Sequence, residues 1–322
     1  MKPGWIALTL SCLLLAGCDV FHRDYIDEKY MGNFPFSLDI SADGRFLLVG
    51  SAEAEVRILR VSDWQTVCIL PLGKALQWDE ANRIIYHVDE LESDRITHYK
   101  LDFDQDPACE KVGSFSLGEP GETIKRIAIS ADGLRIAAVY SEILVLGNPL
   151  TETVLCEIPG GNRAVFDPAG TDVVVKVQPR WHIKRFDSTT CQERASLLTT
   201  SDRLPPCDLV FSQDGSRLII PAYDNHTQFI DSITGEFVLD LVGADPLGGS
   251  CLAHEPSADG QFFINSNADS EIGVWWLEDR QLVRIYRGHT DTITAVELSP
   301  DGSLLYSGST DNTIKVWPVD WQ

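Results

Sequence analysis

His289, Ser307 and Asp311 are the residue types of a nucleophilic triad, in which a carboxylate orients an imidazole that takes a proton from an attacking hydroxyl. Ser309 offers a second hydroxyl, and Trp317, which can only donate from its indole N–H, follows closely. A more scattered set, Asp39, Asp79, Asp208, His254 and Glu297, has the chemistry of a metal or acid–base site if the fold gathers it. Asp102, Asp104 and Asp106 alternate like the start of a calcium loop, but the glycine and glutamate such a loop needs are absent, so the run reads as a solvated turn. No cysteine spacing suggests zinc, and no cofactor is expected. What these residues do depends on the elements that carry them.

Those elements repeat. Gly288-His289 precedes an alternating run, Ile293 to Leu298, then Ser299-Pro300-Asp301-Gly302, a second run from Leu304, a polar turn at Thr310-Asp311-Asn312, and Thr313 to Trp317. Period-two alternation with an Asp-Gly turn reads as strand, tight turn, strand, turn, strand. The same turn chemistry recurs at Ser41-Ala42-Asp43-Gly44, Ser130-Ala131-Asp132-Gly133, Ser212-Gln213-Asp214-Gly215 and Ser257-Ala258-Asp259-Gly260. Asp167-Pro168-Ala169-Gly170 is a variant and Asp79-Glu80-Ala81-Asn82 the most eroded copy. From Gly133 the turn glycines are spaced 37, 45, 45 and 42 residues, and the 89 residues from Gly44 to Gly133 hold two repeats, which makes seven units.

The last unit resembles the WD repeat, with Gly-His in front and tryptophan closing the third strand; Pro318 stands where that family's aspartate usually follows. The resemblance implies an all-β fold, a seven-bladed β-propeller of four-stranded blades over residues 24–322, because each blade is too small to bury its own faces. It also recasts the triad: His289, Ser307, Asp311 and Trp317 match the family's buried hydrogen-bond chain, so a structural role is expected, with Ser307 or Ser309 supplying the hydroxyl. One outer strand is missing from the seventh blade, and Asp24 to Tyr30 is expected to supply it. The alternative is an acidic, solvated tether carrying Asp24, Asp27 and Glu28.

The N-terminus speaks to location. Lys2 is followed by an apolar stretch, Trp5 to Leu15, too short to span a bilayer as a helix. It ends in Leu15-Ala16-Gly17-Cys18, which resembles a bacterial lipobox. That implies a signal peptide over 1–17, a lipid on Cys18 and a tether over 18–23, with the protein facing the periplasm or an equivalent space. Asp19 resembles a signal for retention in the inner membrane. Stable anchoring follows from two or more acyl chains.

Six cysteines would remain in the mature chain: Cys68, Cys109, Cys156, Cys191, Cys207 and Cys251. An oxidising compartment favours disulfides. Cys207 and Cys251 begin adjacent inner strands and form the best candidate pair; the other four, near the starts of outer strands where blades splay apart, read as small buried apolar residues. Trp275-Trp276 alternates faces, so one indole should enter the core while the other points away as a potential binding anchor. The formal charge of -22, from 26 basic and 48 acidic residues, argues against nucleic acid. The functional expectation is a non-enzymatic protein-interaction platform; the alternative is a propeller hydrolase of the lactonase type with a site in the central channel.

Overall fold

The computed structural model describes residues 24–51, 55–79, 81–102, 108–119, 121–179, 181–198, 206–222, 226–242, 253–266 and 269–320. Cys18 and the tether, Asp104, Asp106 and Cys251 lie outside these residues. The described strands form seven antiparallel four-stranded sheets. Their inner strands are Pro35–Ile40, Gly73–Asp79, Arg126–Ile129, Gly161–Phe166, Val210–Phe211, His254–Pro256 and Ile293–Leu298, in blades 1 to 7. This is the expected seven-bladed propeller.

The recurrent Ser-x-Asp-Gly signature acts through the turn between the first two strands of a blade. In blade 7 Ser299 Oγ donates to Asp301 Oδ1 at 2.7 Å and accepts from Leu304 N at 2.9 Å. Asp301 Oδ1 also accepts from Ser303 N at 3.0 Å. Gly302 takes φ 69°, which a side chain would resist. Blades 1 and 6 repeat these bonds through Ser41 with Asp43 and Ser257 with Asp259. The eroded copy in blade 2 keeps only a carboxylate cap: Asp79 accepts from Asn82 N and Nδ2 at 3.1 and 2.9 Å.

The core lies between blades, so both faces of a blade are apolar. One cluster joins Ile272 and Val274 of blade 6 to Val296, Leu305 and Trp317 of blade 7. Another joins Leu47 and Val49 of blade 1 to Tyr306, Ile314 and Val316 of blade 7. This geometry corrects the expectation for Trp275-Trp276. The two indoles do face opposite ways, but Trp276 packs on the cluster towards blade 7 and Trp275 on the one towards blade 5. Neither is a free anchor, because a blade interior to a ring has no outward face. Trp275 Nε1 also donates to Asn265 Oδ1 at 2.8 Å.

The ring closes through its N-terminus. Asp27–Tyr30 pairs antiparallel with Thr313–Pro318, in the register Asp27 to Val316 through Tyr30 to Thr313. The acids that a tether would leave in water are engaged. Asp24 Oδ2 accepts from Arg287 N at 3.1 Å, Asp27 Oδ2 accepts from Trp64 Nε1 at 2.7 Å, and Glu28 pairs with Lys315 Nζ at 2.9 Å. The Lys315 ammonium also sits 4.0 Å over the Tyr25 ring, which meets Trp317 edge-on at 5.6 Å.

The cysteines overturn a further expectation. Cys68 is bonded to Cys109 and Cys156 to Cys191, with Cα atoms 5.8 and 5.9 Å apart, so these four are not isolated apolar fillers. Cys207 is disulfide-bonded as well. Blades do splay at the rim, but the turn leading into one outer strand leans back over the previous blade. Ala108 N donates to Val67 O at 3.1 Å across that gap, which brings Cys109 to Cys68. The receiving strands, Gln65–Leu70 and Thr153–Pro159, each carry a bulge beside the cysteine that turns it towards its partner.

Candidate functional site: the central channel

The triad-like residues do meet, in a buried chain. Asp311 Oδ2 lies 2.8 Å from His289 Nδ1, His289 Nε2 lies 2.7 Å from Ser307 Oγ, and Trp317 Nε1 donates to Ser307 Oγ at 2.7 Å. With the carboxylate accepting from Nδ1–H, the ring's other nitrogen accepts from the serine hydroxyl, a tautomer assigned from the network. Ser307, not Ser309, completes the chain; Ser309 Oγ donates to Asp291 O at 2.9 Å. The connectivity is that of a nucleophilic triad, but Ser307 is fully buried and an indole N–H already occupies its oxygen. No acyl group can reach it. Burial pushes the Asp311 carboxyl up, yet the His289 ring, the Thr313 hydroxyl and the Thr290 amide hold it well below the usual carboxylate range.

The scattered set divides. Asp79 is buried in its turn and takes no part in the channel. The others follow from strand register. Inner strands of a propeller run in one direction along the axis, so distance from the turn residue sets height. Arg126, Arg163 and Asp208 each stand four residues ahead of a turn residue (Ser130, Asp167 and Ser212); Asp39, Glu255 and Glu297 each stand two ahead of theirs (Ser41, Ser257 and Ser299). Two residues along a strand is about 6.6 Å. The channel therefore has a basic layer contributed by blades 3 and 4 and an acidic layer from blades 6, 7 and 1.

The basic layer opens on a cavity of about 620 Å³ lined by Arg126, Arg163, Asp208 and His254 together with apolar side chains. Arg163 is in a tight ion pair with Asp208, which lies 3.3 Å from His254 Nε2. Burial raises the Asp208 carboxyl, but the His254 hydrogen bond and the Arg163 charge outweigh it and hold it at about 2. Lys176, directly opposite Arg163 on the neighbouring strand, donates from Nζ to Pro206 O at 2.7 Å. Desolvation, then the charges of Arg163 and Arg126, bring the Lys176 ammonium down to about 8.

In the acidic layer, burial and then the Asp39 charge push Glu255 up to about 8. Glu297 is likewise raised well above its ordinary value, by burial and then by Glu255 and Asp39, although the Ile40 amide donates to it. A carboxyl raised in the folded state holds a proton that the unfolded chain has released, so stability falls as pH rises from about 4.5 towards about 8. Glu297→Gln should therefore be increasingly stabilising relative to the wild type as pH rises above about 4.5, by on the order of 1 kcal/mol or more at neutral pH, and neutral below it. Urea midpoints of both proteins across that range check this; a constant difference would show that the layer does not titrate there. Among the described residues, no three His, Cys, Asp or Glu side chains converge as a metal site.

Arg126, Arg163, Lys176 and Glu255 were not singled out from residue types alone. Their signal is positional: Arg126 and Arg163 share one offset ahead of the repeated turn, Glu255 shares another with Asp39 and Glu297, and Lys176 is the cross-strand partner of Arg163.

The family described as "WD domain, G-beta repeat" matches residues 280–318. The chain is 29% identical over 174 residues to "Protein groucho" of Drosophila melanogaster, covering 52% of this chain and 22% of that protein. It is 27% identical over 215 residues to "Transducin-like enhancer protein 2" of Mus musculus, covering 66% of this chain and 27% of that protein. The matched region thus spans about a quarter of the length of these relatives. With seven four-stranded blades in a ring, the chain is a seven-bladed β-propeller whose last blade is similar to the WD repeat.

Proposed function

We propose that the protein is a lipid-anchored, extracytoplasmic WD-repeat platform that binds a protein partner without chemical turnover. The rim disulfides carry the location half of this reading. Cys68–Cys109 and Cys156–Cys191 tie blade 1 to 2 and blade 3 to 4, and such bonds persist in oxidising compartments. The lipobox-like Leu15-Ala16-Gly17-Cys18 supports export with a lipid on Cys18, and Asp19 favours the inner membrane. The likeness of the last blade to the WD repeat, with the triad-like constellation of His289, Ser307 and Asp311 sealed in the core, favours binding over hydrolysis.

Three measurements test it. Radiolabelled acyl chains should enter the wild-type protein and not Cys18→Ala, and the wild type should fractionate with membranes. Cross-linking on native membranes should recover a reproducible partner; none recovered would sink the platform reading. Cys68→Ser with Cys109→Ser opens a loop of 41 residues and should cost about 2–4 kcal/mol, read as a lower urea midpoint. Protein made in a reducing cytoplasm should resemble that variant.

A further inference from the structure

Thiol–disulfide exchange asks two things of a disulfide: one sulfur that an incoming thiolate can reach, and a second that can leave as a thiolate in contact with water. The two rim bonds differ on both counts. Cys68 is 2% exposed and belongs to the apolar cluster between blades 1 and 2, with Val56, Ile58, Leu70 and Trp78. Attack at Cys68 is closed off. Attack at the half-buried Cys109 would expel the Cys68 thiolate into that cluster, where a charge is costly. Cys156 and Cys191 are both half-buried, at the margin of the cluster between blades 3 and 4. Their chain neighbours Leu155, Glu157, Thr190 and Gln192 are exposed, so either sulfur can be attacked and either can leave towards water.

What each bond holds differs as well. Beside Cys109, Ala108 N donates to Val67 O, a backbone bond that would keep the turn on blade 1 after the sulfurs part. The turn of blade 4 is bonded mainly to itself: Asp187 Oδ1 accepts from Thr189 N and Thr190 N, and Cys191 N donates to Asp187 O. Across the gap, Arg135 of blade 3 donates from Nε to Thr189 Oγ1 at 3.3 Å while pairing with Asp132 at 3.0 Å. Deeper in this seam, Leu144 and Ile158 of blade 3 pack with Val175 and Phe186 of blade 4. Opening Cys156–Cys191 therefore frees a preformed turn from the rim and leaves the core of the seam in place.

We propose that Cys156–Cys191 is a thiol-exchange site, opened and re-formed in the folded ring by a partner dithiol, while Cys68–Cys109 is a permanent strut. The exchange balances between the two pairs of sulfurs. One thiolate of the dithiol attacks Cys156 or Cys191, and the other cysteine leaves as a thiolate that takes up a proton. The second thiol of the reductant, on losing its proton, attacks the mixed disulfide and frees the first cysteine. Two electrons and two protons pass to the protein, and the dithiol ends as a disulfide. Neither the lipid anchor nor a platform role is needed for such exchange, so its failure would leave both standing.

The oxidised full-length protein in detergent is exposed to dithiothreitol in neutral buffer and quenched in acid, and its free thiols are alkylated for peptide mass spectrometry. Cys156 and Cys191 should be labelled about 10-fold or more faster than Cys68 and Cys109. Urea below the unfolding transition should leave the faster rate nearly constant, because access and not global unfolding governs it. The selectively reduced protein should keep its near-ultraviolet circular dichroism, and oxidised glutathione should restore the bond. Arg135→Gln, which cuts a link between the turn and blade 3, should speed opening about 5-fold. Equal rates for the two bonds, or faster opening of Cys68–Cys109, would overturn the proposal. So would a steep urea dependence of the faster rate, loss of the tertiary signal on selective reduction, or a bond that does not re-form.

Discussion

Replacing residues 24–30 with a Gly/Ser segment of equal length should open the ring and lower stability by on the order of 5 kcal/mol or more. The ladder to Thr313–Pro318 loses its bonds at about 1 kcal/mol each, and the Tyr25 contact with Trp317 contributes about 2 more. Lys315, buried at its head group, loses both Glu28 and the Tyr25 ring. Since whole domains are stable by about 5–15 kcal/mol, such a loss approaches global unfolding. The freed strand would also present an unpaired edge, so aggregation should accompany it. Urea titration and size-exclusion chromatography read both effects. Unchanged stability would mean that this segment is a tether and that the blade holds with three strands. Tyr25→Ala alone should cost about 2 kcal/mol, which grades the effect.

The second large effect is expected at Asp311. Asp311→Ala should destabilise by about 3–5 kcal/mol, because it leaves His289 buried without its charged partner and frees the amides of Thr290 and Thr313. Ser307→Ala should cost about 2–4 kcal/mol, since it orphans both His289 Nε2 and Trp317 Nε1. Ser309→Ala, which loses bonds to Asp291 O and Asp311 N, should cost less and serves as the control. A carboxyl held below its ordinary value contributes stability at neutral pH that disappears as pH falls below about 3.8. Asp311→Asn should flatten the acid limb of the stability curve. Equal costs for Ser307→Ala and Ser309→Ala would argue that the chain is not a cooperative unit.

The ring and the channel share one cause. Because every blade is sandwiched, apolar side chains are drawn between blades, and the inner strands are left to present polar residues to the axis at heights set by the turns. The disulfides reinforce the rim, where packing between blades is thinnest, and the N-terminal strand joins the last blade to the segment that follows Cys18. With the lipid proposed on Cys18, anchoring and closure would draw on one short stretch, and a pull on the tether would act on the strand that completes blade 7.

Much of this was legible in residue order because its causes are local. The Ser-x-Asp-Gly turn bonds to itself within five residues, so five copies, with one variant and one eroded copy at blade spacing, were enough to count the blades, and Gly-His ahead of Trp317 marked the buried chain. Ser307 could not be told from Ser309 without the tertiary structure, since both are small hydroxyls on the same face of one strand and only their position along it separates them. Disulfide partners needed tertiary structure because they join different blades: the lean of a turn over its neighbour brought Cys109 to Cys68 and Cys191 to Cys156. The charge layers of the channel were equally hidden. Arg126, Arg163 and Asp208 come together from three blades, and only closure of the ring turns a common offset along separate strands into a common height around one axis.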